Sequence, residues 1–126
     1  MSTRNQRCAP PHGTNIPPLN SGAIMPTVIA RLEPKSDAHD AVLDVLREHV
    51  PLVHAEAGCD LYSVHSDGRI IVIVESWETG SALKSHATGP IFTDVNRQLE
   101  PLLSAPPRID ILTSVPMGDT QRGTIG

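Results

Sequence analysis

The chain has 126 residues, enough for one domain and too few for two. Its formal charge is −4, and residues 1–25 hold Arg4 and Arg7 without an acid, so the remainder sets 8 basic against 14 acidic side chains, a balance that lacks the electrostatic footprint of nucleic-acid binding. No apolar run approaches the roughly 18 residues of a membrane-spanning helix, and Cys8 and Cys59 form no CxxC or disulfide framework, which points to a reduced, cytoplasmic setting.

Residues 1–25 contain Pro10, Pro11, Pro17 and Pro18 among polar side chains. Such a stretch cannot bury enough apolar surface to offset chain entropy and is expected to be a disordered tail. The folded domain is expected over residues 26–115, with 116–126 as a second short tail. Thr27–Leu32 is short, apolar and β-branched, which predicts a strand. Glu33-Pro34-Lys35-Ser36 reads as a turn, with Ser36 or Asp37 capping the helix after it. Val42, Val45, Leu46, His49, Val50 and Val53 recur at helical spacing and predict that helix from about Asp37 to Ala57. Pro51 lies inside it and predicts a kink; Gly58 ends it.

Cys59–His65 alternates and predicts a strand with one wetter face. Ser66-Asp67-Gly68-Arg69 is a hairpin turn. Ile70–Trp77 is almost continuously apolar, so it is expected at the centre of the sheet. Thr79 or Ser81 caps a helix carrying Ala82, Leu83 and His86; Gly89-Pro90 breaks it, and a third helix holds Ile91, Phe92, Val95 and Leu99. Arg108–Val115 is a last alternating strand. The order β-α-β-β-α(α)-β is that of an α+β, ferredoxin-like domain. Helices on one side of its antiparallel sheet leave the other side bare, and a second copy of the chain is the expected cover, giving a homodimeric α/β barrel.

The six histidines show no metal-ligand spacing: His49 and His54 sit about 140° apart around a helix. No nucleophile elbow, phosphate-binding loop or dinucleotide fingerprint is present, and Cys59, after a helix C-terminus, reads as a small apolar residue rather than a thiolate. No metal and no nucleotide cofactor is therefore expected. The chain has one Trp, one Tyr and one Phe. Trp77 and Tyr62 fall with Glu75 and His86 near one strand–helix corner. Aromatic walls with few polar groups suit a flat apolar ligand, while core packing of Trp77 and helix capping by Glu75 account equally for the same residues.

The run from Glu56 to Phe92 resembles the antibiotic biosynthesis monooxygenase domain, whose pattern has Glu-Pro-Gly-Cys, a Tyr on strand two, Glu-x-Trp at the end of strand three and Ala-Leu-x-x-His on the next helix. Here these are Glu56-Ala57-Gly58-Cys59, Tyr62, Glu75-Ser76-Trp77 and Ala82-Leu83-Lys84-Ser85-His86. Ala57 replaces the common Pro, and His54 stands where an Arg is frequent. The resemblance implies a dimer that binds a small aromatic substrate and O2, and in some members a cofactor-independent oxidation of quinols or polyphenols. It implies His86 as base or hydrogen-bonding group, with Glu75 orienting His86 or a backbone amine, and Trp77, Tyr62, His54 and Phe92 against the substrate. Haem-degrading relatives place a Trp, an iron-binding His and an Asn where this chain has His86, Asn96 and Ala30, so haem degradation is not expected. The alternative is a dimeric small-molecule binding module without turnover.

Overall fold

Alternating side chains on β1 (Thr27–Leu32) set the inside and outside of the sheet: Val28, Ala30 and Leu32 are buried, whereas Arg31 is exposed. The structure, a computed structural model, describes residues 25–125. The tail expected over residues 1–25 thus lies, but for Met25, outside the described residues. Helix α1 (His39–His54) turns Val42, Leu46, His49 and Val53 inward, one stripe at helical spacing. It is two to three residues shorter at each end than its periodicity predicts. Ala38 occupies the N-cap without a side-chain hydrogen bond, so neither Ser36 nor Asp37 caps it. At the other end Ala55 and Glu56 donate back to Leu52 and Val53 carbonyls, tightening the last turn into a loop that carries Ala57 and Gly58. Pro51 is accommodated on the exposed side.

β2 (Cys59–Ser66) and β3 (Ile71–Trp77) form the hairpin, and Asp67 Oδ1 accepts from the amides of Arg69 and Ile70 to hold its turn. Thr79 caps α2 (Gly80–Ala87) by accepting from the Ala82 amide. α3 (Pro90–Leu99) starts with proline in its first turn and runs into a 3-10 turn at Glu100–Leu102. β4 (Arg108–Leu112) ends three residues before the predicted Val115.

All strand pairs are antiparallel in the order β2-β3-β1-β4, which is the ferredoxin-like arrangement, with β3 and β1 central as the apolar run of β3 requires. The three helices cover one face. Ala30, Leu32, Ile71 and Ile73 from the sheet meet Val42, Leu46, Val95 and Leu99 from α1 and α3 there. Val28 and Trp77 meet Val53 and Leu83 in a second cluster. The linker after α3 is tied to the β1–α1 turn by Lys35 N–H to Leu102 O at 2.8 Å and Ser104 N–H to Glu33 O at 2.8 Å. On the uncovered face Ile29, Leu61, Val72 and Val74 stay only half-buried.

A polar latch joins α1 to α3. Buried His49 contacts Val45 O through Nδ1 at 2.7 Å and Asp94 Oδ2 through Nε2 at 2.8 Å, and Gln98 donates to the same carboxylate. The Asp94 carboxylate hydrogen bond raises the imidazole's affinity for its proton, and the same bond lowers that of Asp94.

Candidate active site

β2 contains a bulge. Cys59 lies opposite Trp77, but Leu61 lies opposite Ser76, so one extra residue is inserted on β2. In a regular strand, residues three apart face opposite ways. The bulge lets Cys59 and Tyr62 both pack against the helix-covered side, beside Trp77. Strict alternation, as the sequence predicts, would place only one of them there.

Trp77 at the end of β3 is fully buried and donates its indole N–H to Glu75 Oε1 at 3.0 Å. The two residues share a face because they are two apart on one strand. His86, on the last turn of α2, stacks on Trp77 with ring centroids 4.6 Å apart and an interplanar angle of 27°. Tyr62 and Phe92 meet the same imidazole edge-on at 5.9 and 5.3 Å. The single Trp, Tyr and Phe of the chain therefore surround one histidine. His86 is 3% exposed.

The carboxylate on His86 is that of Glu56, whose Oε1 lies 2.6 Å from Nδ1. Glu75, the residue implied for that role, is committed to the indole instead. Since a carboxylate accepts, Nδ1 carries the proton, and in the neutral ring the lone pair sits on Nε2. Among the described residues Nε2 has no hydrogen-bond partner. Sequence reasoning placed Glu56 in a motif but gave it no role. Its signal was there, an acid two residues before a glycine at a helix end, but nothing in the spacing places that loop against α2.

His54 stands apart from this cluster. Its imidazole is exposed and bonds the Tyr62 carbonyl through Nε2 at 2.9 Å, bracing β2 against the end of α1. Asn96, one turn beyond Phe92, donates to the Phe92 carbonyl.

Burial dominates the electrostatics. It pushes the Glu75 carboxyl up to about 7, against the indole hydrogen bond that favours its ionised form, and the Glu56 charge adds to the shift. Burial also raises the Tyr62 phenol far above its ordinary range, with Glu75 adding to it, so Tyr62 stays neutral. The Cys59 thiol is raised by burial first and then by Glu75 and Glu56, which agrees with an unreactive thiol, although the main cause is desolvation rather than a helix end.

The Glu75 shift fixes a pH dependence. Between the unfolded value of 4.5 and about 7 the folded chain holds a proton that the unfolded chain has released. Stability therefore falls as pH rises through that window, and the loss is complete above it. Its size is on the order of 3 kcal/mol. Glu75→Gln keeps an oxygen for the indole and cannot ionise. The variant should gain stability over wild type in urea unfolding at about pH 8 and show little gain at about pH 4.5. Equal differences at both would mean that Glu75 ionises freely.

Two hollows flank the cluster. A cleft of about 330 Å³ is lined by Glu56, Gly58, Glu78, Ser81, Ser85 and His86. A larger groove of about 950 Å³ runs between α3, the linker and β4, bordered by Phe92, Asn96, Leu99, Leu103, Arg108 and Ile109. Tyr62 and Trp77 line neither. Phe92 borders the groove, and its ring also meets His86.

This fold and motif set define a small α+β domain of a known class. Residues 25–98 match the family described as antibiotic biosynthesis monooxygenase, and the chain belongs to that family. It is similar to Rv0793 of Mycobacterium tuberculosis, a monooxygenase by its provisional name, at 31% identity over 87 residues, covering 68% of this chain and 86% of that one. The solved structure of Rv0793 superimposes with a TM-score of 0.67 at 29% identity, over 75% of this chain and 97% of that one. PA3566 from Pseudomonas aeruginosa gives 0.67 at 29% identity, over 74% and 96%. A structure described as an antibiotic biosynthesis monooxygenase gives 0.68 at 27% identity, over 73% and 100%.

Proposed function

We propose that the protein is a cofactor-independent monooxygenase that oxidises a small quinol or polyphenolic aromatic compound with O2. The observation that carries this reading is His86: a buried imidazole, held at Nδ1 by a carboxylate, with Nε2 unpartnered among the described residues and its ring inside an aromatic cluster. The groove bordered by Phe92 has the size and mixed apolar and polar lining of a small-molecule site. In this reading a flat ring system entering there displaces the Phe92 ring to bring its hydroxyl to His86, which the groove itself does not border. Nε2 takes a phenolic proton and becomes imidazolium. The phenolate is electron-rich and passes electrons to O2. One oxygen atom enters the product, a hydroxyquinone from a quinol, and the other leaves as water, so the substrate supplies every electron. Tyr62 and Trp77 keep the base dry and fixed, and burial raises the Glu75 carboxyl, which lowers the share of negative charge it holds against the forming phenolate.

The working form in this reading is a homodimer whose two copies cover each other's half-buried Ile29, Leu61, Val72 and Val74. His54, exposed near the end of α1 and bordering neither hollow, makes no substrate contact in this reading.

An oxygen electrode tests the reaction with reduced naphthoquinols and anthrones on protein whose mass is followed by light scattering. Uptake with formation of an oxygenated product by a dimer is expected. A monomer at micromolar concentration would remove the dimer. No uptake across the panel, with some compounds still raising the melting temperature, would leave a binding module; a hundredfold excess over Kd adds about 2.7 kcal/mol in that case.

A further inference from the structure

We infer that Glu56 is the positioning residue for His86, and that it reaches the imidazole because Gly58 lets the α1–β2 loop lie directly on α2. The inference rests on the reading of His86 as a base. The contact is short, 2.6 Å from Oε1 to Nδ1, between an imidazole 3% exposed and a carboxylate 20% exposed. A buried imidazole held on one nitrogen by a carboxylate keeps one tautomer and one orientation. When Nε2 takes a proton, the imidazolium forms against a fixed negative charge, and the proton on Nδ1 does not have to move.

The loop is built to hold that carboxylate in place. Glu56 N–H donates to Val53 O at 2.9 Å, Cys59 N–H to Glu56 O at 3.2 Å, and Glu78 N–H to Gly58 O at 2.7 Å. Gly58 has φ +81°, and a Cβ there would lie 2.5 Å from the Ala82 Cβ, so any side chain drives the loop off α2. Gly89 closes the other side: a Cβ there would lie 2.9 Å from Ser85 O and 3.9 Å from Glu56 Oε2. Gly58 thus serves the contact between a loop and a helix 30 residues apart in sequence, whereas the tight spot at Gly89 is the Ser85 carbonyl and its distance to Glu56 is ordinary van der Waals contact. Among the described residues Glu75 makes no hydrogen bond to His86; its Oε1 accepts from the indole. On its solvent side Glu56 lines the 330 Å³ cleft, large enough to admit a small carboxylate in its place.

The test pairs imidazole ¹⁵N NMR on the ligand-free protein with oxygen uptake, in wild type, Glu56→Gln, Glu56→Ala and Gly58→Ala. In wild type the neutral His86 should be the Nδ1–H tautomer. In both Glu56 variants the tautomers should mix, kcat should fall about 100-fold, and KM should hold within about twofold, since Glu56 does not border the groove. Added formate should restore both the tautomer and kcat in Glu56→Ala in a dose-dependent way and do nothing to wild type. Gly58→Ala should show the same tautomer mixing with its carboxylate still present. A Glu56→Ala protein that keeps the Nδ1–H tautomer overturns the inference, as does a kcat loss that formate leaves unchanged. If wild type takes up no oxygen with any phenol, the oxidation reading fails by itself. The tautomer, its loss in Glu56→Ala and its return with formate still decide the role of Glu56.

Discussion

Oxygen uptake should fall by about 10²–10⁴-fold when His86 is replaced by alanine, the range that removal of a general base covers. The loss should appear in kcat with every substrate of the panel, because proton removal from the ring hydroxyl precedes electron transfer to O2. His86 also fills space against Trp77, Tyr62 and Phe92, so alanine costs some stability as well. His86→Gln separates the two effects. Its amide can still donate to Glu56, and its volume is closer to that of the imidazole, but it cannot take a proton. Both variants should be inactive, with the glutamine protein melting nearer to wild type. A glutamine variant with wild-type kcat would move the base elsewhere and leave His86 as a packing residue.

The largest effect on stability should come from Trp77→Ala. The side chain is fully buried and joins strand β3 to α1 and α2 through Val53 and Leu83. Truncating a buried Trp costs about 3–5 kcal/mol, and the change also strips the Glu75 carboxyl of its indole donor. Against a total of about 5–15 kcal/mol for a domain, the variant should lose a large share of its stability and, at the low end of that range, need a bound ligand to stay folded. Urea unfolding of Trp77→Ala beside Trp77→Phe measures this. Phenylalanine keeps most of the apolar area and loses only the donor, so it should cost less. A loss under about 1 kcal/mol for alanine would mean that the ring is dispensable for packing.

Period and punctuation in the sequence were enough to read the architecture. The alternating or continuous apolar strands, the 3–4 spacing of α1 and the Asp-Gly turn carry the element order, and the order carries the sheet. The gathering of Trp77, Glu75 and His86 was also legible, since two lie on one strand and the third sits on the next helix. Their partners were not. A bulge leaves no trace in residue types, so Cys59 and Tyr62 could not be placed on one side together. The resemblance offered Glu75 as a residue to orient His86 or a backbone amine, whereas the carboxylate on the imidazole is Glu56, from a loop whose approach depends on Gly58 fitting against Ala82. Such a fit is a property of three-dimensional clearance, and no linear pattern encodes it. The helix ends were missed for a related reason: backbone donors at Ala55 and Glu56 turn inward there without any capping side chain.

The two hollows beside His86 draw on different stretches of chain. The cleft uses the α1–β2 loop and α2, and the groove uses α3, the linker and β4. Phe92 meets the His86 ring and also borders the groove. Drift in residues 93–109 can therefore reshape what is bound while the imidazole keeps its supports. A domain wired this way can change diet without losing its appetite for protons, and grafting that segment between relatives is the natural route to a new ligand range.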